Sequence, residues 1–302
     1  MKAILRQKSK RKQLLWIVGL ILLVIFLIRV YVIPKHFPNS TNETLIYLKS
    51  VLDKISISLI VSMFIGWFLF KIEVPEEQSK FEIIEPKRIA DYFALGRIGT
   101  SFWYFSGGVG RFSRNVTIPK IAEISQSNNT SKIIRLNIIN PLDEELCENY
   151  AKYKNSLRSA KDTKINWSSK FVKNQAFATI FKSIIYKSHF PMLEIDIYLK
   201  KIFTTTRTDL NESNCVITKE DKRDLGLVCT KDTFLYKTYK EEIYQESKQL
   251  SKLNIDKEID NVVLNNITKI NVEEIAKLYD FKLEEQDLIE ITGFLNDGKS
   301  IY

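Results

Sequence analysis

Two apolar runs near the N-terminus, followed by strand and helix patterns in alternation, predict a membrane protein. The fold class is an N-terminal two-helix transmembrane hairpin, then an α/β cytoplasmic domain with a mixed, partly parallel sheet, then a helical C-terminal segment. Three observations carry this reading. Residues 14–33 are apolar apart from Arg29, and residues 55–72 form a second apolar run. Charge is segregated: residues 1–72 hold 11 Lys and Arg against 2 Asp and Glu, and the rest of the chain holds 34 of each sign. From residue 98 onward, short β-rich runs alternate with amphipathic patterns, the signature of strands crossed over by helices.

Residues 1–13 read as a basic tail, with Lys2, Arg6, Lys8, Lys10, Arg11 and Lys12. The hairpin occupies 14–72, with spans at 14–33 and 55–72 and an external loop at 34–54. Twenty residues at about 1.5 Å each cover the roughly 30 Å of a hydrocarbon core. Trp16 and Tyr31 sit near the two ends of the first span, where aromatic side chains favour the membrane interface. The basic tail and the poorer loop orient the N-terminus and everything after residue 72 toward the cytoplasm. Ser58, Ser62 and Gly66 recur every four residues and form one small-residue face, suited to helix packing or to the lining of a pore. Arg29 lies four residues from the end of its run, so it either snorkels to the outer interface or contributes to a charged ring.

Residues 73–95 are acidic and weakly patterned and read as a connector. The α/β domain spans 96–251. Strands are expected at 98–105, 132–139, 192–199, 202–209 and 215–218. Helices are expected at 117–127, at 141–158 with acids early and bases late, at 170–189 and at 233–253. Residues 252–302 form the helical segment, with Asn271 and Glu274 as a candidate capping box.

The composition removes several function classes. Three cysteines are too few for a disulfide framework, and two histidines with no CxxC argue against a metal site. No catalytic motif is complete, so no catalytic residue, no cofactor and no metal are expected. The domain after residue 72 is electrically neutral, which argues against a duplex-DNA partner.

The most site-like segment is Ser106-Gly-Gly-Val-Gly-Arg-Phe-Ser-Arg114, directly after an expected strand. Gly107, Gly108 and Gly110 allow close backbone approach, and Arg111 and Arg114 supply guanidinium forks for phosphate. Residues 87–135 carry 8 basic and 2 acidic side chains, a local excess within a neutral domain. The sequence is neither a Walker A loop nor GxGxxG. The competing reading is a tight strand-to-helix turn whose arginines pair with domain carboxylates. Arg207, on a Thr-rich strand, is a further ligand candidate. For a hydrolytic reading only His189, Glu194 and Asp196 are on offer.

The stretches WYFSGGVGRFSRNVTIPKI, RLNIINP with ELCENYAKYKNSLR, and TTTRTDL with CVITKED and FLYKTYKEE resemble a vestigial phospholipase-D-like α/β domain. The HxKxxxxD motif of those enzymes is missing, so the resemblance implies the fold without the catalysis. The whole architecture resembles the two-transmembrane effectors of bacterial antiphage nucleotide-signalling systems. That resemblance implies an inner-membrane, multi-pass protein with both termini cytoplasmic. Its soluble domain would sense a nucleotide or short oligonucleotide and control an oligomeric pore or membrane-disrupting bundle. The implied partners are membrane lipids, further copies of the chain, the nucleotide ligand and a nucleotidyltransferase-like protein that supplies it. Alternatives are a membrane-tethered phosphoester-processing enzyme and a scaffold that recruits a cytoplasmic protein.

Overall fold

The computed structural model describes residues 8–36, 43–73, 81–163, 165–259, 262–264 and 266–297. The first half of the expected basic tail, the middle of the expected loop at 37–42 and the start of the expected connector at 74–80 lie outside these residues. The chain divides into two units, Met1–Ser79 and Lys80–Tyr302.

The first unit contains helix α1 (Lys8–Leu27) and the long helix α2 (Glu43–Glu73). Below α1 the helix continues through a π-helical turn, Ile28–Val32, into Ile33–His36. Pro34 explains the π turn. It has no N–H for the Val30 carbonyl, and the ladder widens so that the Ile33 N–H reaches the Ile28 carbonyl. Half-buried positions recur at Val18, Leu22, Ile25 and Arg29 along α1 and its continuation and at Leu52, Ser56, Leu59 and Met63 along α2, where Lys49 and Val51 are half-buried as well. Both sets follow a 4-3-4 spacing, a narrow seam of the coiled-coil kind. Arg29 closes this seam with a two-pronged ion pair to Asp53, Nε to Oδ1 at 3.1 Å and Nη2 to Oδ2 at 3.2 Å. The arginine thus has a partner within its own chain, which neither sequence expectation for it included. Ser58 and Ser62 lie off the seam and are exposed, and the surroundings of Gly66 lie outside the described residues. Among the described residues one helix, Trp16–Lys35, is long and apolar enough to cross a membrane, with a mean hydropathy of 2.8. The sequence reading of two spans is therefore met at the coarser level of one N-terminal apolar helix followed by a mixed α/β unit.

The second unit is a single eight-stranded mixed sheet with helices. Its elements are β1 (Phe81–Ile84), α3 (Pro86–Arg97), β2 (Phe102–Ser106), α4 (Ile118–Asn128), β3 (Lys132–Ile139), α5 (Glu144–Ser156) and α6 (Ser169–His189). Then follow β4 (Leu193–Lys200), β5 (Thr206–Asn211), β6 (Asn214–Lys219), β7 (Gly226–Thr230), α7 (Phe234–Gln249), β8 (Ser251–Leu253), α8 (Lys269–Leu278) and α9 (Glu285–Asn296). Strand order is β1-β7-β6-β5-β2-β3-β4-β8. Strands β2, β3 and β4 run parallel, as helical crossovers require, and every other pairing is antiparallel.

Alternation along β2 assigns the two faces of the sheet. Trp103 and Phe105 enter the larger core with Phe93, Ile121, Phe177, Phe181 and Ile291. Phe102 and Tyr104 enter a smaller core with Cys215, Cys229, Tyr236 and Ile243 under α7. All three cysteines are buried and free. Helix α6 is buried on nearly every side, which is why its apolar residues do not gather along one stripe.

Several element boundaries differ from the sequence reading. The stretch read as connector contains β1 and α3. Residues 98–101 form a turn, with Gly99 at φ +74°, so β2 starts at Phe102. Helix α7 stops at Gln249 and the next residues become edge strand β8. The capping box of α8 is built by Thr268 and Asn271, whose side chains each bond the other's backbone N–H. That places the helix start three residues before the expected one.

Candidate functional site

The site forms where the chain leaves the C-terminal end of β2. Buried Lys200 pins that end, with Nζ 2.9 Å from Glu246 Oε1 and 3.0 Å from Ser106 Oγ. The Ser106 hydroxyl donates to Glu246 Oε2 at 2.7 Å, and Asn137 Nδ2 donates to the same oxygen at 2.7 Å. The backbone then runs beside β3, with Gly107 N–H donating to Asn137 O and Ile139 N–H to Gly108 O. This path is open only to glycine. A Cβ at position 108 would lie 2.0 Å from the Tyr150 hydroxyl, and one at 107 would lie 2.6 Å from Phe105 Cζ. Gly110, at φ +70°, turns the chain into a helix that starts at Arg111.

A cavity of about 110 Å³ opens beside this turn. The first helical turn, Arg111 to Ser113, forms one side of it, and a helix start carries N–H groups with no partner in the helix. Trp167 forms another side and has two cations over its ring, Arg111 at 5.8 Å and Lys154 at 4.9 Å. Arg207 enters from β5, its Nε donating to Thr218 Oγ1 and its Nη2 to Lys219 O. Glu220 receives the Lys154 ammonium on Oε2 at 3.1 Å, and Asp209 accepts the Trp103 indole N–H at 3.0 Å.

The electrostatics follow from burial among these charges. Burial pushes the Arg111 guanidinium down, against the pull of Asp297. Burial likewise lowers Lys154, opposed by Glu220. Burial pushes the Glu220 carboxyl up, but Arg207 and Lys154 outweigh it and hold the group below the ordinary carboxylate range. Asp209 goes the other way, with burial raising it to about 7 despite Arg207. Three polar atoms of cavity residues are buried without a hydrogen-bond partner: Arg111 Nε, Ser113 Oγ and Glu220 Oε1. A site with unspent donors and excess cations is suited to a small oxyanion.

The structure brings together four of the six ligand residues expected from the sequence: Gly108, Gly110, Arg111 and Arg207 all line the cavity. Gly107 shapes the approach without lining it. Arg114 points into α6, where Gln175 takes both terminal nitrogens. Ser58, Ser62, Gly66 and Arg29 belong to the other unit. Lys154, Ser113, Trp167, Asp209 and Glu220 were not singled out from the sequence. Ser113 stood inside the quoted loop, whereas Glu220 falls in the run KEDKRD, which reads as a solvated turn. The hydrolytic candidates are engaged elsewhere. Both ring nitrogens of His189 face main-chain carbonyls, of Ile185 and Val262. Asp196 pairs with Lys252 at 2.6 Å, and Glu194 is exposed. Among the described residues no cluster of His, Cys, Asp and Glu could hold a metal ion.

No protein-family model and no curated protein matches the sequence. A solved structure of TrmBL2, an archaeal chromatin protein with a novel mode of DNA binding, is similar at a TM-score of 0.33 and 10% identity. The match covers 68% of this chain and 67% of that one. The partner set read from the sequence is corrected on this finding. It excluded duplex DNA, and a DNA-binding protein stands among the matching structures. At that TM-score the likeness carries no argument about what this chain binds.

Proposed function

We propose that this chain is a membrane-anchored sensor whose α/β unit takes up a small phosphorylated ligand at the β2–Arg111 cavity. The observation that carries the reading is the convergence of Arg111, Lys154 and Arg207 with buried, unspent donors on one cavity. Size narrows the ligand. Pockets that enclose a whole drug-sized molecule measure roughly 300–1,000 Å³, whereas this one offers about 110 Å³. It suits a single phosphoryl group, with the remainder of the ligand outside.

The first unit is proposed as a two-helix transmembrane hairpin in the inner membrane, with the α/β unit cytoplasmic. Away from the narrow seam, Leu20, Leu23, Phe26, Ile57 and Phe64 are all exposed. Apolar surface of this kind costs about 25 cal/mol per Å² in water and nothing in lipid. Ligand occupancy then biases the state of the hairpin, which requires different affinities in the two states. The antiphage effector role implied by the resemblance belongs to this proposal.

The test is calorimetric titration of the full chain, in detergent, with inorganic phosphate and with phosphate monoesters. Saturable binding that Arg111→Ala and Arg207→Ala each weaken at least tenfold is the expected result. An absence of binding to every member of the panel discards the reading.

A further inference from the structure

We infer that the cavity selects a phosphoryl group that still carries a proton, as inorganic phosphate or a singly ionised phosphate monoester does, over sulfate and over phosphodiesters. This rests on the reading of the cavity as an oxyanion site. Arg111 Nε and Ser113 Oγ are buried donors without partners, and donors alone would accept any tetrahedral anion. Glu220 makes the difference. It is 7% exposed, its Oε2 is held by Lys154 at 3.1 Å, and its Oε1 accepts no hydrogen bond. The Tyr150 hydroxyl lies beside this carboxylate and helps to hold its proton affinity down.

An ionised carboxylate offers only acceptors. Against a fully deprotonated oxyanion it brings two like charges together with no bond between them, which is a penalty rather than a neutral contact. A P–OH group turns the same contact into a charge-assisted hydrogen bond from ligand to Glu220. Sulfate and dialkyl phosphates have no such proton near neutral pH. The other titratable groups facing the cavity are Asp209, Lys154, Lys222, Arg111, Arg207 and Tyr150. Asp209 is a second carboxylate on this lining and titrates within the same range, so it is the Glu220→Gln variant that assigns the discrimination to Glu220.

The experiment is titration of the full chain in detergent with inorganic phosphate, methyl phosphate, dimethyl phosphate and sulfate, at pH 6 and pH 8. Inorganic phosphate keeps a proton at both values, whereas a monoester loses its last one near pH 6. Inorganic phosphate is expected to bind at least tenfold more tightly than sulfate and dimethyl phosphate at both pH values. Methyl phosphate is expected to match it at pH 6 and to fall about tenfold behind at pH 8. In Glu220→Gln the amide N–H can donate, and sulfate is expected to rise to within about threefold of phosphate. Equal binding of sulfate and phosphate, or undiminished discrimination in Glu220→Gln, overturns the inference and leaves the oxyanion site standing. No binding of any of the four overturns both. Should the Gln variant fail to fold, the same comparison in Asp209→Asn, where Glu220 is the one carboxylate left on the lining, decides.

Discussion

Arg114 spends both of its terminal nitrogens on one residue, Gln175, with Nη1 on the main-chain oxygen at 2.9 Å and Nη2 on Oε1 at 2.8 Å. At 2% exposure this is a buried clamp between the Gly/Arg loop and α6, and it divides two arginines that look alike in sequence. Replacing Arg114 with Met leaves Gln175 unpaired in the interior, at a cost of about 1–3 kcal/mol. The melting temperature of the chain in detergent is expected to fall by several degrees. Arg111→Met is expected to keep the melting temperature within about 2 °C and to lose phosphate binding. Differential scanning fluorimetry and titration on the same two samples check this.

Asp209 makes stability depend on pH. Its carboxyl is raised to about 7 in the folded chain, mainly by burial, against about 3.9 when unfolded. The folded state therefore holds the proton more tightly. Stability from this group is greatest below about pH 4, declines as pH rises and levels off above about 7. Asp209→Asn removes the decline. It is expected to melt higher than the wild type at pH 8, by a margin that narrows as pH falls toward about 4. The same variant is expected to bind phosphate more tightly at pH 8, because it lacks a carboxylate facing the anion.

Gly108 has no room for a side chain, because a Cβ there would meet both Tyr150 and Glu220. Tyr150 is a ring at 1% exposure that cannot swing aside. Gly108→Ala is expected to cost about 1–3 kcal/mol through overpacking and to push Glu220 out of register with the cavity. Thermal melting and phosphate titration should both show the loss. Gly99→Ala, at a positive φ but in open space, should lower the melting temperature alone.

The Arg29–Asp53 pair is exposed to whatever surrounds the first unit. In water such a pair contributes about 0–1 kcal/mol, and in an apolar surrounding an unpaired member costs several times more. Arg29→Gln and Asp53→Asn are each expected to reduce the yield of folded protein in membranes, with Asp53→Asn the more harmful because it strands the guanidinium. Exchanging the two, Arg29→Asp with Asp53→Arg, is expected to restore the yield in membrane extracts.

Legibility in the sequence followed the locality of each signal. Strand β3 and helix α6 were readable because KIIRLNII and the Phe- and Ile-rich run from 170 to 189 announce themselves within a single window. Strands β1 and β7 were missed because four- and five-residue strands carry no period to count. The glycines marked the turn, since only they tolerate its path. The rest of the cavity comes from side chains that the sheet order brings together: Lys154 from α5, Arg207 from β5 and Glu220 just beyond β6. Nothing local distinguishes those residues from surface charges. Arg114 misled for the converse reason, because a buried guanidinium and a ligand-facing one read the same in sequence.

Sheet order also has a mechanical side. The chain enters the second unit through β1, four residues at the sheet edge paired only to β7. The strands that flank the cavity, β5 and β2, stand three and four places further in. A pull delivered at residue 81 therefore loads this edge strand first. Strand β1 can peel away, bond by bond, while the strands around the cavity stay zipped. The α/β unit thus has a built-in fuse between its tether and its cavity, and tension on the tether would be relieved there first.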